Sequence, residues 1–363
     1  MPDVLLFGAT GFTGRLTAQA LAARGVSFAI AGRNRSKLER LGDDIDPSPE
    51  VRVAEVGDVD ALADALSDVK VMITCVGPFM ELGDTAVEAA LRARVHYIDS
   101  TGEGAFIGRL ITERDYAARS AGICIAPAMG FDEVPADMAA TTSVEGLVRP
   151  ELTLTYALPL IGSRGTVRTS LGIMTSKGPW LVDGTRTMRG AGAESRWAPM
   201  PPPVGPRPAV SFPFSEAHLA PLHLPLRSMR TFVTIDPMRK IGFRPTLPIL
   251  RAALGFRPTR GLIDNVLSRL PDGPVEEQRL RPWTILAEGR GEDGAWRNVA
   301  VMGRDVYGVT AQFLTAGAIE MCRDDFALTG VRSPVDAVGV ETWQKVFADN
   351  DVSIDVYEPT EGA

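Results

Sequence analysis

Short apolar runs set the rhythm of the first third of the chain. Val4-Leu5-Leu6-Phe7 is followed by similar runs at Val26–Ala31, Val51–Val56, Val69–Val76, Val95–Asp99 and Gly122–Ala126. Mostly hydrophobic stretches of this length, bounded by glycine or polar residues, predict strands of a buried sheet. The segments between them carry helical spacing, most clearly over Arg15–Arg24, Asp84–Arg94 and a long stretch from Glu103 to Ala121. Strand and helix in alternation predict an α/β fold with a doubly wound parallel sheet.

After Ala126 the pattern breaks. Pro127–Asp137 is irregular, a helix is predicted over Pro135–Ser143, and Glu151–Leu158 and Gly165–Leu171 read as strands. Seven prolines between Ala198 and Pro213 predict an extended surface loop or flap. Trp283–Gly289 and Trp296–Gly303, joined by Glu292-Asp293-Gly294, predict a hairpin. Helical spacing returns over Val309–Cys322 and Glu341–Phe347. The expected organisation is a Rossmann domain over 1–128, completed by C-terminal helices within 304–355, with a second, mixed α/β substrate domain over 129–303.

The first strand runs straight into Gly8-Ala9-Thr10-Gly11-Phe12-Thr13-Gly14, a G-x-x-G-x-x-G turn leading into a helix. Strand, glycine turn and helix N-terminus together form an anion site, because unpaired backbone N–H groups and the helix dipole point outward there. Gly8 suits the turn, Gly11 the approach of a phosphate, and Gly14 close packing of helix on strand. Thr10, Phe12 and Thr13 complete the loop that would touch a dinucleotide. An NAD-selective fold carries an acidic residue at the end of the second strand, on the ribose hydroxyls. Here Gly32 and Arg33 stand instead, with Lys37 nearby. A guanidinium at that position suits a 2′-phosphate, so the expected cofactor is NADP(H). Asp58, after the third strand, suits either the adenine or a helix cap. Cys75, Val76, Gly77, Pro78 and Phe79 follow the fourth strand, where a parallel sheet opens toward its ligand.

Composition narrows the picture further. With 363 residues, two cores are expected. The longest charge-free run, Val306 to Ile319, is too short for a bilayer, and the N-terminus has no signal-peptide layout, so a cytoplasmic protein is expected. Three cysteines and three histidines in no ligand spacing predict no metal site. Residues 227–270 hold nine basic and two acidic residues, and Thr259–Leu270 has one apolar helical face. Such a surface suits an acidic carrier protein or an anionic membrane as readily as it suits solvent. Nucleic acid is not expected, since basic residues and aromatics are not interleaved.

Five strings in order, GATGFTG, AGRNRSKL, CVGPF, HYIDSTGE and GFDEVPAD, resemble the saccharopine dehydrogenase-like oxidoreductases. Among them the likeness is strongest to the actinobacterial trans-acting enoyl reductases. It runs through Asp137 and returns weakly at Arg304–Ala311 and Gly330–Pro334; Arg164 and Glu133 depart from the family's glycine and serine. The resemblance implies an NADPH-dependent reductase acting on an enoyl substrate of lipid or polyketide type, free or carrier-bound. A saccharopine-reductase-like imine chemistry and a non-catalytic NADPH sensor stand as alternatives, and a homo-oligomer is compatible with all three. No tyrosine is followed four places on by lysine, which excludes the short-chain dehydrogenase pair. Asp132, just after the sixth strand, and Tyr307 are the candidate catalytic residues. Each also has a structural reading, as a turn-former or as packing.

Overall fold

A computed structural model describes residues 1–159, 176–235 and 273–358. The chain divides into two compact units, Met1–Val134 with Asp305–Asn350, and Pro135–Arg304 with Asp351–Ala363.

The first unit is built on seven parallel strands: β1 (Val4–Phe7), β2 (Phe28–Gly32), β3 (Glu50–Val53), β4 (Val71–Thr74), β5 (His96–Asp99), β6 (Cys124–Ala126) and the two-residue β15 (Gly330–Val331). Their order across the sheet is β15-β6-β5-β4-β1-β2-β3, so the chain reverses direction between β1 and β4. That reversal is the switch point at which open α/β sheets bind ligands. The central strands β1 and β4 are fully buried, as their unbroken hydrophobic runs require. Between strands lie α1 (Phe12–Ala23), α2 (Arg35–Asp43), α3 (Val59–Ala65) and α4 (Phe79–Ala93).

The expected long helix 103–121 is interrupted. It consists of α5 (Gly104–Arg109), a π turn over Leu110–Arg114, and α6 (Asp115–Ala121). The Thr112 hydroxyl donates to the Gly108 carbonyl at 3.0 Å, engaging an oxygen of the helical ladder just where the ladder widens. Further on, α8 (Val306–Met321) packs along α1, and α9 (Pro334–Val338) and α10 (Val340–Ala348) follow it. Phe313 of α8 meets the rings of Trp343 and Phe347 at 5.6 and 5.5 Å, and the Trp343 indole N–H donates to the Pro334 carbonyl.

The second unit opens within α7 (Glu133–Val144) and holds one mixed sheet. Its strands are β7 (Glu151–Ala157), β8 (Lys177–Val182), β9 (Thr185–Gly190), β10 (Ser195–Ala198), β11 (Arg207–Ser211), β12 (Ser228–Thr234), β13 (Trp283–Arg290), β14 (Trp296–Gly303) and β16 (Ser353–Tyr357). The expected hairpin is present as β13–β14, in register from Trp283 against Gly303 to Arg290 against Trp296. The expected proline-rich flap is not a flap throughout: Arg207–Ser211 is an interior strand between β10 and β12. Pro208 gives the ladder no N–H there, while its carbonyl accepts the Ile235 N–H at 2.9 Å. Ser353–Tyr357, beyond the last predicted helix, pairs along β14. The predicted strand Gly165–Leu171, Arg164, and the basic segment beyond residue 235 lie outside the described residues.

Candidate functional site

The glycine turn sits between β1 and α1, directly at the switch point. Gly8 has φ +82°, and a Cβ there would lie 2.6 Å from Val76 Cγ2, so this turn and the one after β4 are in contact. A Cβ on Gly14 would lie 2.3 Å from the Gly8 carbonyl oxygen and 2.8 Å from Ala9 Cα. Helix α1 therefore rests on the turn as closely as backbone allows. Gly11 caps α1 without any side-chain acceptor and is itself exposed, which leaves the first-turn N–H groups of α1 facing outward. The Arg15 guanidinium folds back to donate to the Thr10 carbonyl at 2.8 Å, and the Thr13 carbonyl accepts from the Thr17 hydroxyl. The ring of Phe12 meets Tyr307 edge-on at 4.9 Å.

At the end of β2, Arg33 is exposed, and Asn34 caps α2 by accepting the Lys37 N–H at 3.0 Å. Lys37 is likewise exposed, and among the described residues no carboxylate pairs with Arg33 or Lys37. The Asp58 carboxylate accepts the Ala61 N–H at 2.9 Å and so caps α3.

After β4 the chain runs through Cys75 and Val76 to Gly77 and Pro78, then enters α4 at Phe79. The Cys75 thiol is pushed up to about 12 by burial, against a hydrogen bond from Thr17 that acts in the opposite sense, so it is an inert thiol. Phe79 and Met80 donate their N–H groups to the two oxygens of Glu103, at 2.8 and 3.0 Å. Glu103 is in turn tied to Thr101, whose hydroxyl accepts the Glu103 N–H.

Asp99 ends β5 with no exposed surface. One carboxylate oxygen accepts the N–H groups of Thr101 and Ala128, both at 2.9 Å, and the other accepts the Tyr97 hydroxyl at 2.7 Å. Desolvation outweighs these donors and lifts its pKa to about 6. Asp132, half-buried after β6, is also lifted to about 6 by desolvation, against the backbone N–H groups of Asp132 and Glu133. Its carboxylate lies beside Gly102 and Gly130, where added Cβ atoms would stand 3.3 and 2.8 Å away. Thr310 accepts the Phe131 N–H at 3.1 Å and donates to the Val306 carbonyl, fixing the start of α8 beside Asp132's loop.

The C-terminal strand ends thus gather the glycine turn, the 75–79 loop, Asp99 and Glu103. Tyr307 belongs to the same unit but is buried against Phe12. The sequence alone marks Asp99 only as a strand end, reads Glu103 equally as a weak site candidate and as a charge starting its own helix, and gives Arg15 no role. The available signal for the first two is an acidic residue at each end of Asp99-Ser100-Thr101-Gly102-Glu103, next to a strand terminus.

Residues 4–125 match the family described as Saccharopine dehydrogenase NADP binding domain. The first unit carries that domain. Among curated relatives, the segment is 32% identical over 148 residues to a lipid droplet localized protein of Caenorhabditis elegans, covering 38% of this chain and 34% of that protein. It is 34% identical over 141 residues to a trans-acting enoyl reductase of Mycobacterium ulcerans, again covering 38% of this chain and 34% of the relative. The matches therefore span about a third of these relatives' own length. Over the whole chain, the fold is similar to apo saccharopine dehydrogenase (L-Glu forming) from Saccharomyces cerevisiae, with TM-score 0.61 and 13% identity over 98% of this chain and 99% of that one. Among the described residues, no helix is long and apolar enough to cross a membrane, and no group of three metal-ligating side chains occurs.

Proposed function

We propose that this chain is an NADPH-dependent reductase of an enoyl substrate of lipid or polyketide type, free or bound to a carrier. The observation that carries the reading is the uncapped N-terminus of α1 at the switch point, with Arg33, paired to no described carboxylate, where an NAD-selective fold places an acid. The residues fit the nucleotide. Gly8, Gly11 and Gly14 shape the seat for the pyrophosphate, with Thr10, Phe12 and Thr13 along its rim. Arg33 and Lys37 are assigned the 2′-phosphate, and Cys75 to Phe79 the wall beside the ribose and nicotinamide. Asp58, engaged as a cap, has no nucleotide role in this reading.

Bound NADPH supplies a hydride. Asp132 is assigned the orienting of substrate or water at the end of β6, and Tyr307 the support of the loop through Phe12. An enoyl reduction also needs a hydrogen-bond donor for the developing enolate oxygen. Protonated Asp132 supplies one in the acidic range, since its pKa stands near 6. Choice of substrate is assigned to the second unit. The enoyl reading draws on the trans-acting enoyl reductase relative. A second reading, reduction of an amino-acid-derived imine, is favoured by the whole-chain likeness to saccharopine dehydrogenase.

The purified full chain is to be assayed for NADPH consumption with 2-enoyl thioesters, both as coenzyme A esters and on an acyl carrier, and with a 2-oxo acid plus an amino acid. Turnover of the thioesters alone is expected. Turnover of the oxo acid and amine pair alone would replace the first reading by the second.

A further inference from the structure

Two helices, α1 and α4, begin at the C-terminal edge of neighbouring strands at the switch point, since β1 and β4 pair in parallel. Each N-terminus has first-turn N–H groups that no helical carbonyl can take, and the positive end of a helix dipole. Nothing in elementary electrostatics tells a pyrophosphate which to choose. The side chains do. At α1 no side chain caps the first turn. At α4 the Glu103 carboxylate takes two first-turn N–H groups, those of Phe79 and Met80, at 2.8 and 3.0 Å. Glu103 is only 9% exposed and does not cap its own helix. It reaches across from the β5 end, where the Thr101 hydroxyl accepts its N–H and Asp99 in turn accepts the Thr101 N–H.

Resting on the nucleotide-binding reading above, we propose that Glu103 is a positioning residue that closes the α4 N-terminus to anions. The dinucleotide pyrophosphate then has a single seat, at α1. The same carboxylate fixes the first residues of α4 and, through them, the Gly77-Pro78 loop. That loop follows Val76, whose Cγ2 lies 2.6 Å from where a Gly8 Cβ would be, so it bears on the glycine turn. The strings CVGPF and HYIDSTGE are on this account two halves of one lock.

The test uses the full-length protein with inorganic pyrophosphate and NADPH as calorimetric probes, on wild type, Glu103→Ala and Glu103→Gln. Wild type is expected to bind one pyrophosphate, displaced by NADPH. Glu103→Ala is expected to bind a second pyrophosphate per chain, and to bind NADPH about tenfold more weakly. Glu103→Gln keeps one acceptor oxygen without the charge, so it should fold where alanine fails and show the second anion at lower affinity. A role confined to stability would lower the melting temperature with no new anion site. One pyrophosphate per chain in both folded variants would therefore overturn the proposal. Absence of NADPH binding to wild type would strike the nucleotide reading instead, and the pyrophosphate count would still decide whether Glu103 closes α4.

Discussion

Asp99 is held by three donors and touches no water, and its carboxyl nonetheless titrates near 6 because the loss of solvation outweighs them. The consequence for stability has a definite sign. A carboxyl whose folded pKa lies above its unfolded value near 3.8 binds its proton more tightly when folded. Its contribution is present in full below the unfolded value and is lost as pH rises through 6. Asp99→Asn keeps an acceptor for the Thr101 and Ala128 N–H groups and removes the titration. The difference in unfolding free energy between variant and wild type should therefore move in favour of the variant as pH rises from 4 to 7, by at most about 3 kcal/mol. Urea titrations at several pH values measure it, and a difference independent of pH would refute the account. Asp99 also shows why part of the site is hidden in the sequence. A strand-end aspartate has the same letter whether it faces solvent or sits beneath Tyr97, and only the fold reports the desolvation. Arg33 is legible as a candidate because the property proposed to matter there is charge at a position fixed by the motif.

Elements follow the same division. The central strands of the first unit, β1 and β4, are readable because burial on both faces forces hydrophobic runs, and the glycine spacing marks the first turn. The π turn at Leu110–Arg114 is not, since the helical spacing runs through it without a mark where the ladder widens. In the second unit Arg207–Ser211 is obscured by its prolines, and β16 by its brevity and the polar residues around it. In the first unit, α1 meets the glycine turn closely through Gly14. Gly14→Ala places a methyl 2.3 Å from a backbone oxygen, which neither partner can yield without moving the turn. It should cost about 1 to 3 kcal/mol of stability in urea and weaken NADPH by at least about tenfold. Gly57→Ala, whose added Cβ meets nothing within 4 Å, is the matched control and should change little. Equal effects of the two would show that the close approach at Gly14 is immaterial.

At the scale of the molecule, the division into two units makes the cofactor's energetic effect local. A ligand that binds only the folded state stabilises it by RT ln(1 + [L]/Kd), about 2.7 kcal/mol at a hundred times Kd. If the seat belongs wholly to the first unit, the melting transition that carries residues 1–134 and 305–350 should rise by several degrees with saturating NADPH. At the same concentration NADH should raise it less, because Arg33 and Lys37 have no second phosphate to meet. Arg33→Asp tests the selectivity without disturbing the fold, since Arg33 is exposed and pairs with no described carboxylate. In that variant the NADPH shift should fall to the NADH shift or below it, while the ligand-free transition stays where it was. Calorimetric scans with each nucleotide, on wild type and variant, give all the comparisons at once. A variant that keeps the full NADPH advantage would move the 2′-phosphate away from the end of β2. The pyrophosphate seat at α1 would stand, but the ground for choosing NADPH over NADH from Arg33 would be gone.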